Sequence, residues 1–133
     1  MRYNQLIELL NKAYCIYSNF ACACILVDTN NNEYQGVNVE NASYPVTLCA
    51  ERNAIGRMIV DSTGEIPLLS HIYVMTDSID ENSSPCGMCR QALWEFSDDN
   101  TLITIYSKNN TKKTYQFKQL IPLGFNYKAL NSR

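Results

Sequence analysis

The 133-residue sequence lacks any apolar run approaching the roughly 20 residues that cross a bilayer, so no helical membrane span is expected. Its N-terminus lacks the charged, then apolar, then small-residue order of a secretory signal, because polar residues break the early apolar stretches. A cytoplasmic protein is therefore expected. Basic clusters are also missing. Lysine and arginine total 11 against 13 acidic residues, a net charge of −2, and Lys112-Lys113 is an isolated pair near an expected hairpin tip. This balance argues against nucleic acid and anionic membranes as principal partners and suits small, neutral substrates. Histidine is almost absent: His71 is the only one, it precedes an expected strand, and it reads as structural. No repeat, linker or low-complexity tract interrupts the chain, so one domain over residues 1–133 is expected.

Cysteine, in contrast, is abundant, with six in the chain. In a reducing compartment such thiols stay free, which makes metal binding a better expectation than disulfides. Cys49-Ala50-Glu51 and Pro85-Cys86-Gly87-Met88-Cys89 form a split set of three thiols and one acid. Three thiol ligands leave the fourth tetrahedral position of a zinc ion open, as a catalytic site requires and a structural site does not. An acid in a first helical turn is commonly just a partner for the helix dipole. Beside an open metal position, Glu51 reads instead as a proton shuttle. Three thiolates outweigh the charge of zinc, so the site needs positive help from helix N-termini or from a cation. Arg52 is the adjacent cation, although its spacing alone reads as a surface charge. Cys15, Cys22 and Cys24 read as buried filler, the last two on one face of a core strand.

Apolar spacing predicts an amphipathic helix over 3–15, strands over 20–27 and 34–39 joined by a turn at Asn30-Asn31-Asn32, and a helix over 47–61. A strand over 72–76 follows, then a polar loop through Asp80, Glu81, Asn82 and Ser83. Ser84 and Pro85 read as the N-cap and first residue of a helix reaching Phe96. Strands over 102–106 and 114–117 flank a turn at Asn109-Asn110, and a short helix over 118–121 stops at Pro122. Strands alternating with helices predict a mixed sheet with helices packed on its faces.

In order along the chain, Tyr17-Ser18-Asn19-Phe20, the segment from Gly36 to Tyr44, Cys49-Ala50-Glu51-Arg52, Pro85-Cys86-Gly87-Met88-Cys89-Arg90-Gln91 and the segment from Leu120 to Phe125 resemble the small homotetrameric cytidine deaminases. The resemblance implies an α/β, three-layer α-β-α cytidine deaminase-like fold, with a mixed five-stranded sheet and helices on both faces. It implies one zinc ion per chain on Cys49, Cys86 and Cys89, and hydrolytic deamination of cytidine and deoxycytidine in pyrimidine salvage. Zinc-activated hydroxide attacks C4 of cytosine in that family, and the residue matching Glu51 moves the protons. The residue matching Arg52 hydrogen-bonds the ligand thiolates, which would answer the charge imbalance. The implied substrate-binding set includes Phe20 against the base, Asn38 and Glu40 on the sugar hydroxyls, and Ala50. Residues matching Ala42, Tyr44 and Phe125 reach a neighbouring subunit's site, so a homotetramer with shared sites is implied. A carboxylate such as Glu40 accepts from hydroxyls but repels phosphate, which favours a free nucleoside.

The chain departs from the family pattern at Ala21-Cys22-Ala23-Cys24, where Pro-Val-Gly-Ala is usual, and at Ile121, where leucine is usual. Ala23 adds a methyl group close to the implied base pocket. Two competing expectations are a deaminase for another cytosine-bearing molecule, such as a nucleoside antibiotic, and a structural or RNA-binding zinc module. The segment Asn38-Val39-Glu40-Asn41-Ala42 disfavours the first. Three ligands in place of four, a positioned acid and no basic face disfavour the second.

Overall fold

Five strands form one sheet in the computed structural model, which describes residues 1–80 and 82–132; Glu81, in the polar loop expected ahead of Ser84, lies outside them. The strands are Cys22–Asp28 (β1), Glu33–Val37 (β2), Leu69–Thr76 (β3), Leu102–Tyr106 (β4) and Lys112–Gln116 (β5), ordered β2-β1-β3-β4-β5. β1 runs antiparallel to both β2 and β3, and β5 runs antiparallel to β4. β3 and β4 are parallel, with Val74 opposite Ile105. A parallel pair needs a long crossover. Helix Gly87–Trp94 (α3) lies within that crossover, so its N-terminus follows the C-terminal end of β3.

Alternation along the strands sorts side chains to two faces. Cys24, Leu26, Ile72, Val74, Ile103 and Ile105 face helix Ala50–Asp61 (α2), through Ala54 and Met58, and Leu93 of α3. Ala23, Ile25, Val27 and Met75 face Leu6, Leu9 and Leu10 of helix Arg2–Leu10 (α1). The sheet is thus the middle of three layers, and the mixed sheet with helices on both faces agrees with expectation. Asn31 and Asn110 adopt φ of 65° and 62°, as the two expected asparagine turns require.

α2 lies unusually close to β2. A Cβ on Gly36 would sit 2.3 Å from the carbonyl oxygen of Ala50 and 2.5 Å from the nitrogen of Ala54. Only glycine lets the helix seat there. Asn53 then pins the contact by donating to the carbonyl of Val37 at 2.7 Å.

The element boundaries differ from expectation where tertiary pairing competes. α1 stops at Leu10, well short of residue 15, because Tyr14 bridges to the strand extension: its nitrogen donates to Asn38 and its carbonyl accepts from Glu40. Leu48 pairs with Val39, which holds 47–49 extended and delays α2 to Ala50. Cys86, rather than Ser84, is the N-cap of α3. The helix expected over 118–121 is a 3-10 turn over Phe117–Leu120, and a final helix Tyr127–Asn131 (α4), capped by Asn126, went unpredicted.

Candidate metal centre and substrate cleft

Cys49 and Cys86 are the N-cap residues of α2 and α3, and both have extended backbone. An N-cap side chain lies off the helix end, so Cys49 and Glu51 can address one point despite being two residues apart. Cys89 sits in the first turn of α3. The three sulfurs lie within 4.8 Å of one another, the one such His/Cys/Asp/Glu cluster among the described residues. Zinc–thiolate bonds of about 2.3 Å would set tetrahedral sulfurs roughly 3.8 Å apart, a spacing within the limit this cluster meets. Two helix N-termini face the same point and favour thiolate there.

The electrostatics within the cluster agree with a ligand set. Hydrogen bonding from Cys89 pulls the Cys49 thiol well below its ordinary value, with Arg52 assisting, while Cys89, as the donor, is pushed up. Arg52 Nη2 stands 3.8 Å from Cys49 Sγ and 3.3 Å from the carbonyl of Thr47. Its Nε is buried without a hydrogen-bond partner among the described residues. The guanidinium therefore brings positive charge to the clustered thiols instead of pointing into solvent. The remaining cysteines lie outside this cluster. Burial lifts the Cys22 thiol to about 12 and raises Cys24 still more clearly. Cys24 is buried as expected, whereas Cys15 and Cys22 are only partly so.

Glu51 is 7% exposed, in the first turn of α2. Burial raises its carboxyl above the ordinary carboxylate range, and the Cys49 charge adds to this. A carboxyl so placed is a stronger proton acceptor than an exposed one. It forms part of the wall of a cleft of about 300 Å³ that also includes Phe20, Asn38, Glu40, Cys49 and Cys86. Phe20, Asn38, Glu40 and Glu51 thus meet in one concavity beside the thiols. Val74, Met75 and Thr76, at the C-terminal end of β3, close another side.

The cleft is held together by its own polar residues. Asn38, 6% exposed, accepts from the nitrogen of Cys22 at 2.8 Å and donates to the carbonyl of Phe20 at 2.9 Å. Glu40 accepts from the nitrogens of Tyr17 and Ser18, both at 3.0 Å, and from the Ser18 hydroxyl. The Ser18 hydroxyl, with these backbone bonds, holds the Glu40 carboxyl below its usual range. The same hydroxyl accepts from the nitrogen of Phe20 at 3.0 Å. Asp77 accepts from Ala21 at 2.7 Å and pairs with Lys108 at 2.9 Å.

Other expected residues lie apart from this cleft. Ala50 is fully buried against the sheet, where Gly36 meets its carbonyl. Tyr44 is 73% exposed and lines a neighbouring depression with Tyr17, Ser18 and Glu40. Ala42 and Phe125 are also exposed, and Phe125 is tethered through its carbonyl to Gln91 at 2.9 Å. Ala23 borders the cleft, but its methyl group packs with Ile25 and Met75 on the α1 face of the sheet. His71 lies remote from the thiols, stacked on Tyr73 at 4.0 Å and bonded to Thr104 at 2.7 Å. Arg90, which the spacing did not single out, makes three hydrogen bonds around the Ser84–Pro85 loop. An arginine near the positive end of a helix opposes the dipole, and that is the signal that marks it.

The family model described as "Cytidine and deoxycytidylate deaminase zinc-binding region" matches residues 2–105. The chain belongs to this family, a class of zinc-dependent deaminases. A cytidine deaminase of Mycoplasma pneumoniae is 42% identical over 92% of this chain and 90% of its own length. One of Mycoplasma genitalium is 39% identical over 91% and 90%. The crystal structure of cytidine deaminase from Burkholderia pseudomallei superposes with a TM-score of 0.78 at 29% identity, covering 94% of this chain and 100% of that one.

Proposed function

We propose that this protein hydrolyses the exocyclic C4–N bond of cytidine and deoxycytidine, giving the uracil nucleoside and ammonia. The observation that carries this is the placement of Glu51, buried and raised, in one cleft wall with Phe20, Asn38, Glu40 and two of the three clustered thiols. The similarity to cytidine deaminases along nearly the whole chain supports the choice of substrate.

Held by Cys49, Cys86 and Cys89, zinc would supply the Lewis acidity that makes water nucleophilic near neutral pH. Arg52 offsets the negative charge of the thiolates and keeps Cys49 oriented. Glu51 takes one proton from the attacking water and delivers it to N3 of the ring. It then carries the second proton from the new C4 hydroxyl to the amino group, which leaves as ammonia while C4 becomes a carbonyl. Atoms balance with one water consumed. Phe20 packs on the base, and its position is set by Ser18 and Asn38. Glu40, with lone pairs left beyond those used by Tyr17 and Ser18, accepts from the sugar hydroxyls.

The exposed Ala42, Tyr44 and Phe125 support a homotetramer in which these residues complete a neighbour's cleft. Pyrimidine salvage in the cytoplasm is the corresponding role, and no described helix is long and apolar enough to cross a membrane. A panel of cytidine, deoxycytidine, cytosine and cytidine monophosphate tests the substrate class. Turnover of both nucleosides, with the free base and the monophosphate poor substrates, is expected. Preferential turnover of the monophosphate would overturn the role given to Glu40.

A further inference from the structure

We infer that Arg90 is the positioning residue of the metal loop, holding Cys86 in place through the peptide that precedes it. Cys86 is the exposed member of the thiol set and stands at the N-cap of α3 without a side-chain bond to the helix backbone. The residue before it, Pro85, has no backbone N–H, so its carbonyl is the only main-chain hydrogen-bonding group that residue offers. Arg90 takes it: Nε donates to Pro85 O at 2.8 Å. The Arg90 backbone nitrogen also donates to Cys86 O at 2.9 Å, so one residue grips both sides of the ligand.

The rest of the guanidinium supplies the anchor. Nη2 donates to Ser84 Oγ and Nη1 to Leu120 O, each at 2.8 Å. Leu120 ends the 3-10 turn that begins at Phe117, whose ring is fully buried in the core beneath α3. Arg90 therefore ties an exposed ligand loop to a fixed point of the fold. All three acceptors are neutral, and they are spread around one planar fork. Lysine, with a single compact head, cannot span them. The same fork explains why Ser84 does not cap α3: Arg90 already engages its hydroxyl.

This inference rests on the zinc centre proposed above, and its readout is zinc affinity rather than turnover. The dissociation constant is measured by competition with a spectrophotometric zinc chelator, for the full chain and for Arg90→Gln, Arg90→Lys and Ser84→Ala. Groups that orient metal ligands typically change metal affinity by about 10–100-fold when lost. Arg90→Gln is expected to weaken zinc by that order, Arg90→Lys to recover only part of it, and Ser84→Ala to show a smaller loss in the same direction. The melting temperature of each zinc-free variant, measured alongside, separates this from a merely structural role, which would lower that temperature and leave zinc affinity unchanged. Unchanged affinity in Arg90→Gln, or full recovery by lysine, overturns the inference; should the glutamine variant not fold, lysine and Ser84→Ala decide it. Unaltered chain that binds no zinc would overturn the metal centre itself, and chain that binds zinc normally but deaminates nothing would leave Arg90's role standing.

Discussion

Asn38 shows how one side chain can serve both fold and cleft. Its amide satisfies Cys22 N and Phe20 O at the start of β1. Removing it leaves buried backbone groups unpaired, at a cost of about 1–3 kcal/mol. Asn38→Ala should therefore lower stability in a denaturant titration as well as raise KM for cytidine. An unchanged midpoint would show that other groups satisfy that backbone. Glu40→Gln is the cleaner probe of sugar recognition, because its carboxylate lies at the surface of the cleft. It should raise KM for cytidine while leaving weak turnover of free cytosine unaltered; equal effects on both would remove Glu40 from the sugar. At this scale the sequence is legible where chemistry restricts residue type. Three thiols and an acid stand out on any reading, whereas Arg90 does not, because its partners lie at Ser84, Pro85 and Leu120 and meet only after folding.

Among the elements, the seating of α2 on β2 decides whether the centre forms at all. α2 carries Cys49 at its cap and Glu51 in its first turn, and Gly36 is the only residue type that admits it at this distance. Gly36→Ala must push helix backbone away, which overpacking data place at about 1–3 kcal/mol or more. Both a lower melting temperature and lower zinc content are expected in the purified variant, and wild-type zinc content with a full melting temperature would contradict the account of this contact. Apolar alternation was sufficient to locate all five strands and the three longer helices. It misjudged their ends at Tyr14, at Leu48 and at Ser84, and in each case a hydrogen bond to a residue distant in sequence or on the next turn decided the boundary. The final helix was invisible because its Asn126 cap and short apolar content resemble an ordinary loop.

For the molecule as a whole, His71 links stability to pH. Burial, together with the nearby Arg2 charge, lowers its folded value below the ordinary 6.5. The folded state then binds fewer protons than the unfolded state, so this contribution is complete above pH 6.5 and is lost as pH falls from there toward the folded value. Replacing His71 by Gln should flatten the pH dependence of the melting temperature in that window, and an unchanged slope would show that other groups dominate. Assembly is the second whole-molecule property. Sedimentation should find a tetramer, and Phe125→Ala should reduce kcat/KM while leaving zinc content intact; a fully active monomer would contradict shared clefts. The central claim is that the thiol cluster and Glu51 form one deaminating centre. It is tested most directly by measuring ammonia released per cytidine consumed, with zinc-loaded wild type and Glu51→Gln assayed side by side. One ammonia per cytidine is expected for wild type, and for the variant undiminished zinc with turnover lower by about 10²–10⁴-fold. Zinc-loaded wild type that leaves cytidine intact, or a variant that turns over at the wild-type rate, would contradict it.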